Sequence, residues 1–323
     1  MTLQSSGPIS FAQIKAEFGG VDPISLNDYY GLATGLPASG AISFSNFYGR
    51  RFIVYETITS DRAWSPKVNL ANFIQIWVMG AGGSGGHGWP DTSGFTEGAA
   101  SGSGGGAGGV AVSRIAASSL AGSYSITVGD GGVGVRLTDE GSRNGNAGSG
   151  SRFSGGGLDI RGNGGGAGQA RFSSTSGSDT ADSPGGVGGT ATGGNLLNLQ
   201  GGSGGRARAT GEGSRRCSSG GGAPRFRTVD DGDGADAGNE DASAGRRAQD
   251  YSGFPPILTT YITGRDQTAI ISASIASFDA TNGSNSGTSG SATYGAGSGG
   301  CGQRSATGTG RGGNGIVYII YEI

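Results

Sequence analysis

The sequence predicts a mainly β and irregular fold. A small N-terminal module of short capped helices precedes a glycine-rich domain of β-strands and packed polyglycine-II-like helices. Three observations carry this reading. Glycine supplies 73 of 323 residues, about three times its usual share of roughly 7%. It concentrates in runs: Gly80–Gly86, Gly102–Gly109, Gly164–Gly168, Gly185–Gly189, Gly201–Gly205, Gly220–Gly222, Gly295–Gly302 and Gly308–Gly315. Apolar, β-branched segments bracket those runs, and a short repeat stands three times before them. The rival fold is a β-sandwich with long glycine-rich loops.

Residues 1–51 hold the repeat, as Pro8–Ile14, Pro23–Tyr29 and Ala41–Phe47. Each copy reads as a helix start. Ser10, Ser25 and Ser43 are N-caps, and Gln13, Asp28 and Asn46 stand three residues on, at the reciprocal capping-box position. Ile9, Ile24 and Ile42 precede the caps and can staple onto Ile14, Tyr29 and Phe47 one turn inside. Gly19, Gly31 and Gly49 end the helices. Helices this short need packing to persist, on one another or on a partner, through Phe11, Ile14, Phe18, Tyr29, Tyr30, Phe44, Phe47 and Tyr48. The segment therefore reads either as a docking module or as a helical cap on the main domain.

Residues 52–323 form the second domain. Phe52–Ile58, Phe73–Met79, Val110–Ile115 and Tyr124–Val128 are β-branched or aromatic with partial alternation, and read as strands. Ser60–Pro66 reads as a turn. Phe254–Ile262 and Ala269–Phe278 interrupt the glycine pattern and read as an inserted hairpin, 254–278. Ile316–Ile323 is placed to pair with the opening strands and close the domain.

Glycine runs can build a domain because a residue without Cβ lets backbones approach closely. Extended threefold chains make no internal hydrogen bonds. Laid side by side they can satisfy each other's N–H and C=O groups in two dimensions. Such an array needs few apolar residues, in keeping with a hydrophobic fraction of 33%. With only 9 prolines and no glycine period of three, collagen is excluded.

The residues argue against an enzyme. Gly80-x-Gly82-x-x-Gly85 matches a dinucleotide fingerprint but lacks the helix that must follow. Gly82-Gly83-Ser84-Gly85-Gly86 matches a nucleophile elbow, yet the one histidine, His87, stands too close to serve as its base. No cofactor is expected, with calcium left open at Asp231, Asp233 and Asp236, whose spacing departs from an EF-hand loop. The net charge of −2 gives no general attraction to nucleic acid or membrane, and the longest apolar run is too short to span a bilayer. Cys217 and Cys301 allow one disulfide at most. Only Lys15 and Lys67 are lysines, so 20 of the 22 cations are arginine. His87, Trp89, Phe95, Arg225, Phe226, Arg227, Tyr251 and Phe254 mark aromatic-bearing polar loops between runs, residues that either stack on ligands or anchor the loop locally.

Ser6–Phe11 and Ile42–Gly49 resemble the N-terminal repeats of many phage virion proteins. Ile74–Gly83 resembles the start, and Gly312–Tyr321 the closing strand, of the glycine-rich domain of tail-fibre proteins of tailed bacteriophages, fibre-tip adhesins included. The resemblance brackets nearly the whole chain, with the 254–278 insertion and uneven runs as departures. It implies polyglycine helices packed in a sandwich, with variable loops between them meeting the host surface. The expected protein is a non-enzymatic virion component, made in the host cytoplasm. Residues 1–51 would dock it to other virion proteins, and the loops named above would meet a host receptor, glycan or outer-membrane protein. The alternative is a structural head-decoration or tail protein without a receptor role.

Overall fold

The computed structural model describes residues 3–18, 22–30, 36–37, 39–49, 53–67, 70, 73–89, 99–138, 141–173, 180–210, 215–217, 295, 297 and 308–322. The hairpin expected at 254–278 and the run Gly220–Gly222 lie outside them.

The N-terminal repeat folds as its capping signals dictate. The first copy forms α1 (Phe11–Phe18), and the other two form single 3-10 turns at Leu26–Tyr29 and Phe44–Phe47. The first copy continues in helix formers, Gln13-Ile14-Lys15-Ala16-Glu17, whereas the others meet Tyr-Gly after one turn. The Ser10 amide donates to Gln13 Oε1 at 2.8 Å, and the Gln13 amide donates back to Ser10 Oγ at 3.2 Å. Capping boxes close the other two turns, with the Ser25 and Ser43 amides donating to Asp28 and Asn46 at 2.7 Å each. Ile9, Ile24 and Ile42 pack against a core of Leu3, Ile14, Phe18, Tyr29, Leu36 and Phe47. Phe18, Tyr29 and Phe47 meet edge to face, with centroids 5.8–6.1 Å apart. Gly49 ends the last turn in the left-handed region, at φ 63°.

Seventeen strands follow among the described residues. They are β1 (Ile53–Ile58), β2 (Arg62–Trp64), β3 (Phe73–Met79), β4 (His87–Trp89), β5 (Ala99–Gly102) and β6 (Val110–Ala116). Next come β7 (Tyr124–Thr127), β8 (Gly141–Arg143), β9 (Ser151–Gly155), β10 (Leu158–Gly162), β11 (Ala170–Ser173) and β12 (Thr180–Ser183). The last are β13 (Ala191–Thr192), β14 (Leu197–Leu199), β15 (Ala207–Thr210), β16 (Arg215–Cys217) and β17 (Ile316–Glu322). The expected turn at Ser60–Pro66 instead contains β2, because Trp64 has a buried place to fill.

Two antiparallel five-stranded sheets, ordered β1-β17-β3-β6-β14 and β13-β10-β9-β7-β2, share one core. Alternation along β3 sends Ile74, Ile76 and Val78 into it, against Trp64, Tyr124, Ile126, Phe153 and Ile160 of the second sheet. Trp77 and Met79 point to the other face, with Val110, Val112, Leu199 and Ile316. β17 pairs with β1 and β3, as its apolar sequence predicts.

The glycine runs pack on one another beyond these sheets. Along Gly80–Gly86 the hydrogen-bond partner changes with a period of three. Gly80, Gly83 and Gly86 donate to Gly109, Gly106 and Ser103, at 2.8–2.9 Å. Ala81 and Ser84 donate to Ser149 and Asn146, and Gly82 donates to Gly313. The 103–109 run repeats the pattern: Ser103, Gly106 and Gly109 donate to Gln169, Gly166 and Asn163, while Gly104 and Ala107 donate to Gly205 and Gly202. A threefold extended chain points successive N–H groups in three directions, so lateral bonding in two dimensions follows directly. The bond partners order the runs into three layers. One holds 145–150, 163–169 and 185–190; the middle one holds 129–135, 80–86, 103–109 and 201–205; the third holds 308–315 with Gly295. The sandwich and the glycine array, set against each other as rival readings of the sequence, are the two ends of one domain.

Candidate functional site

Each of eight described runs joins a sandwich strand at one end only. β3 opens into 80–86, β7 into 129–135, β10 into 163–169 and β14 into 201–205. The runs 103–109, 145–150, 185–190 and 308–315 return to β6, β9, β13 and β17. Runs therefore alternate in direction, and every described connection between an outgoing and an incoming run lies at the end away from the sandwich.

Three short ribbons build that far end. They are β4-β8, β11-β5-β16 and β12-β15. Small residues let them stack. A Cβ on Gly88 of β4 would stand 2.7 Å from Ser101 O of β5, and Ala100, Ser101, Ser183 and Ala207 are all buried. Ser101 and Ser183 join β5 to β12 through their hydroxyls at 2.7 Å. Ser103 Oγ, where β5 enters its run, donates to Pro184 O at 2.6 Å and accepts from the Gln169 amide at 2.7 Å.

Among the described residues, the exposed charge on these ribbons and just before them is arginine. Arg136, Arg143, Arg171, Arg206 and Arg208 are all exposed. Asp182 stands opposite Arg208 in the β12–β15 register, yet its carboxylate pairs with Arg206 through both Nε and Nη2. That hydrogen-bonded pair, with the nearby fields of Arg206, Arg208 and Arg171, holds the Asp182 carboxyl below its ordinary range. The Arg206 guanidinium is pushed up in return. Arg136, Arg143, Arg171 and Arg208 have no carboxylate partner among the described residues.

A family model described as a glycine-rich domain matches residues 57–322, a span that covers the runs, these ribbons and the sandwich except most of β1. The chain belongs to that glycine-rich domain family. No curated protein matches it.

Within this glycine-rich domain, His87 is not the exposed loop residue that the sequence suggested. Its side chain is fully buried, and Nδ1 accepts the Leu137 amide at 3.0 Å. The reason is the threefold period, which puts Ala81, Ser84 and His87 on one side of their run. Ser84 Oγ on that side donates to Val133 O and accepts from the Asn146 amide, both at 2.8 Å. Trp89 has its backbone in β4. Phe95, Arg225, Phe226, Arg227, Tyr251, Phe254, Asp231, Asp233, Asp236 and Cys301 lie outside the described residues. Among the described residues no three His, Cys, Asp or Glu gather as a metal site.

The docking candidates divide. Ile14, Phe18, Tyr29 and Phe47 are the buried core of their own module and cannot meet a partner. Phe11 is 39% exposed and lies edge to face with the half-buried Phe44, their centroids 5.0 Å apart. Tyr30 and Tyr48 are half-buried and donate to Gly40 O and Gly7 O. Sequence reasoning noted the excess of arginine but named none of the far-end arginines as site residues. Their signal was position: Arg136, Arg171 and Arg206 each stand within three residues of the end of a glycine run.

Proposed function

We propose that this chain is a non-enzymatic bacteriophage virion protein, a tail-fibre tip or receptor-binding adhesin. It presents loops on a glycine scaffold to the host surface. The observation that supports this reading is polarity. All the described connections between runs gather at one end, whereas Ile53 pairs with Glu322 at the sandwich edge farthest from the runs. The chain thus enters the sandwich from residues 1–51 at one pole and carries the described parts of its run-to-run connections at the other. Residues 1–51 would bind other virion proteins, with the exposed Phe11 and its neighbour Phe44 as the apolar contact. The backbone-bonded array between the poles makes a stiff spacer, because its rods are held laterally rather than by flexible side chains.

The test is binding of the labelled full-length protein to cells of strains that the parent phage infects. Saturable binding that slows phage adsorption is the expected result. Failure to bind any permissive strain would overturn the adhesin reading and leave a structural virion role.

A further inference from the structure

We propose that the far-end ribbons bind an anionic surface glycan, through its phosphate or carboxylate groups, at Arg143, Arg171 and Arg208, with Arg136 beside them. This inference rests on the adhesin reading and names the ligand class of that end.

Three ribbons from distant parts of the chain bring these residues together. Arg143 lies on β8, Arg171 on β11 and Arg208 on β15. β8 packs against β11, and β11 against β12, the partner of β15. The array beneath the ribbons is glycine and small residues, so the arginines are mounted on backbone that has little room to shift. Asp182 is the one acid described on these ribbons, and it is already held bidentately by Arg206. The guanidinium groups of Arg143, Arg171 and Arg208 are exposed and hold their donors ready.

A planar guanidinium fork matches phosphate and carboxylate oxygens, and it does so far better than lysine's point charge. The chain's cations are almost all arginine. Protein interfaces usually centre on a large apolar anchor. The large exposed apolar side chains described are Phe11, Val133 and Val187, none of them on the ribbons. A polar, charged ligand fits this surface better than a protein partner. Nucleic acid is the less favoured polyanion, because a long phosphate backbone would also have to pass a chain whose net charge is −2.

The experiment uses the full chain and the double variants Arg171→Ala/Arg208→Ala and Arg136→Ala/Arg143→Ala, with Arg171→Lys/Arg208→Lys as the charge-conserving control. Cell binding is measured against rising salt, and against inorganic polyphosphate and polygalacturonate as phosphate and carboxylate competitors. The expected result is a loss of about tenfold or more in cell affinity for Arg171→Ala/Arg208→Ala, at an unchanged melting temperature, since each charge-assisted contact contributes at least that factor. Binding should weaken with salt, and the better competitor identifies the anion. The lysine variant should recover only part of the loss. Full cell binding by every arginine variant overturns the inference while leaving the adhesin reading intact. If the native protein binds no cells, the adhesin reading falls, and direct titration with the two polymers decides this one. Arginine-dependent binding to either polymer supports it, and binding to neither overturns it. Tighter arginine-dependent binding to duplex DNA than to both polymers overturns the glycan assignment.

Discussion

A single missing atom decides most of this structure. A Cβ added to Gly83 would lie 2.1 Å from Gly166 O, and one on Gly108 would lie 2.0 Å from Gly80 O. Neither neighbour is a side chain that could turn aside. Gly83→Ala should therefore destabilise the domain by about 3 kcal/mol or more, at the upper end of overpacking costs. Val187→Ala, at a position 65% exposed on another run, should fall within about 0.5 kcal/mol of the native protein. Chemical denaturation of the two variants measures the contrast, and equal midpoints would remove the tight-packing account. The excess of glycine, the shortage of apolar residues and the bracketing strands were enough to read the array in the sequence. His87 was misread because histidine beside glycine looks like a loop. Its burial depends on a period of three that becomes visible only when the neighbouring runs are in place.

At the scale of elements, the N-terminal turns were legible because capping is local chemistry. Serine followed three residues later by glutamine, aspartate or asparagine closes its own first turn, whatever lies elsewhere in the chain. Replacing Asn46 by alanine removes the acceptor for the Ser43 amide and should cost about 1 kcal/mol. Hydrogen exchange of residues 41–49 should quicken, with the amides of β3 and β17 unchanged. Slower or equal exchange would show that the cap contributes nothing. The runs 129–135 and 145–150 escaped notice for the opposite reason. Val133, Asn146 and Ser149 dilute their glycines, and their role depends on contacts with 80–86 and 308–315, far away in sequence. The hairpin of β9 and β10 was hidden too, since its turn at Gly156, with φ 53°, looks like any other glycine here.

Across the whole molecule, the carboxylates set how stability answers to acid. Burial alone would raise Glu56, but hydrogen bonds from Tyr321 and Trp64, helped by Lys67 and Arg62, outweigh it and hold the carboxyl below its ordinary 4.5. Asp182, through Arg206, and Asp159, through Arg161 and Arg152, are lowered in the same direction. A carboxyl that is more acidic when folded binds fewer protons folded than unfolded between its two pKa values. Its stabilisation is complete above the unfolded value and is lost as pH falls through the folded one. The melting temperature should thus stay level near neutrality and drop between about pH 5 and pH 2. Glu56→Gln keeps an acceptor for Tyr321 but no titrating group, so its curve should fall less steeply over that window. A parallel curve would mean that Glu56 takes no part. The threefold bonding pattern carries one more consequence, for how the chain finds its native threading. Sliding one run past its neighbours by three residues would restore almost every backbone bond, so the glycines alone leave several alignments nearly equal in energy. Ser84, Ser103 and Thr309, buried with specific partners, break that degeneracy, as pins do in a sliding lock: shifted by three, each would lose its partner, and Ser103 and Thr309 would meet backbone at the places of Gly106 and Gly312, where a side chain has no room.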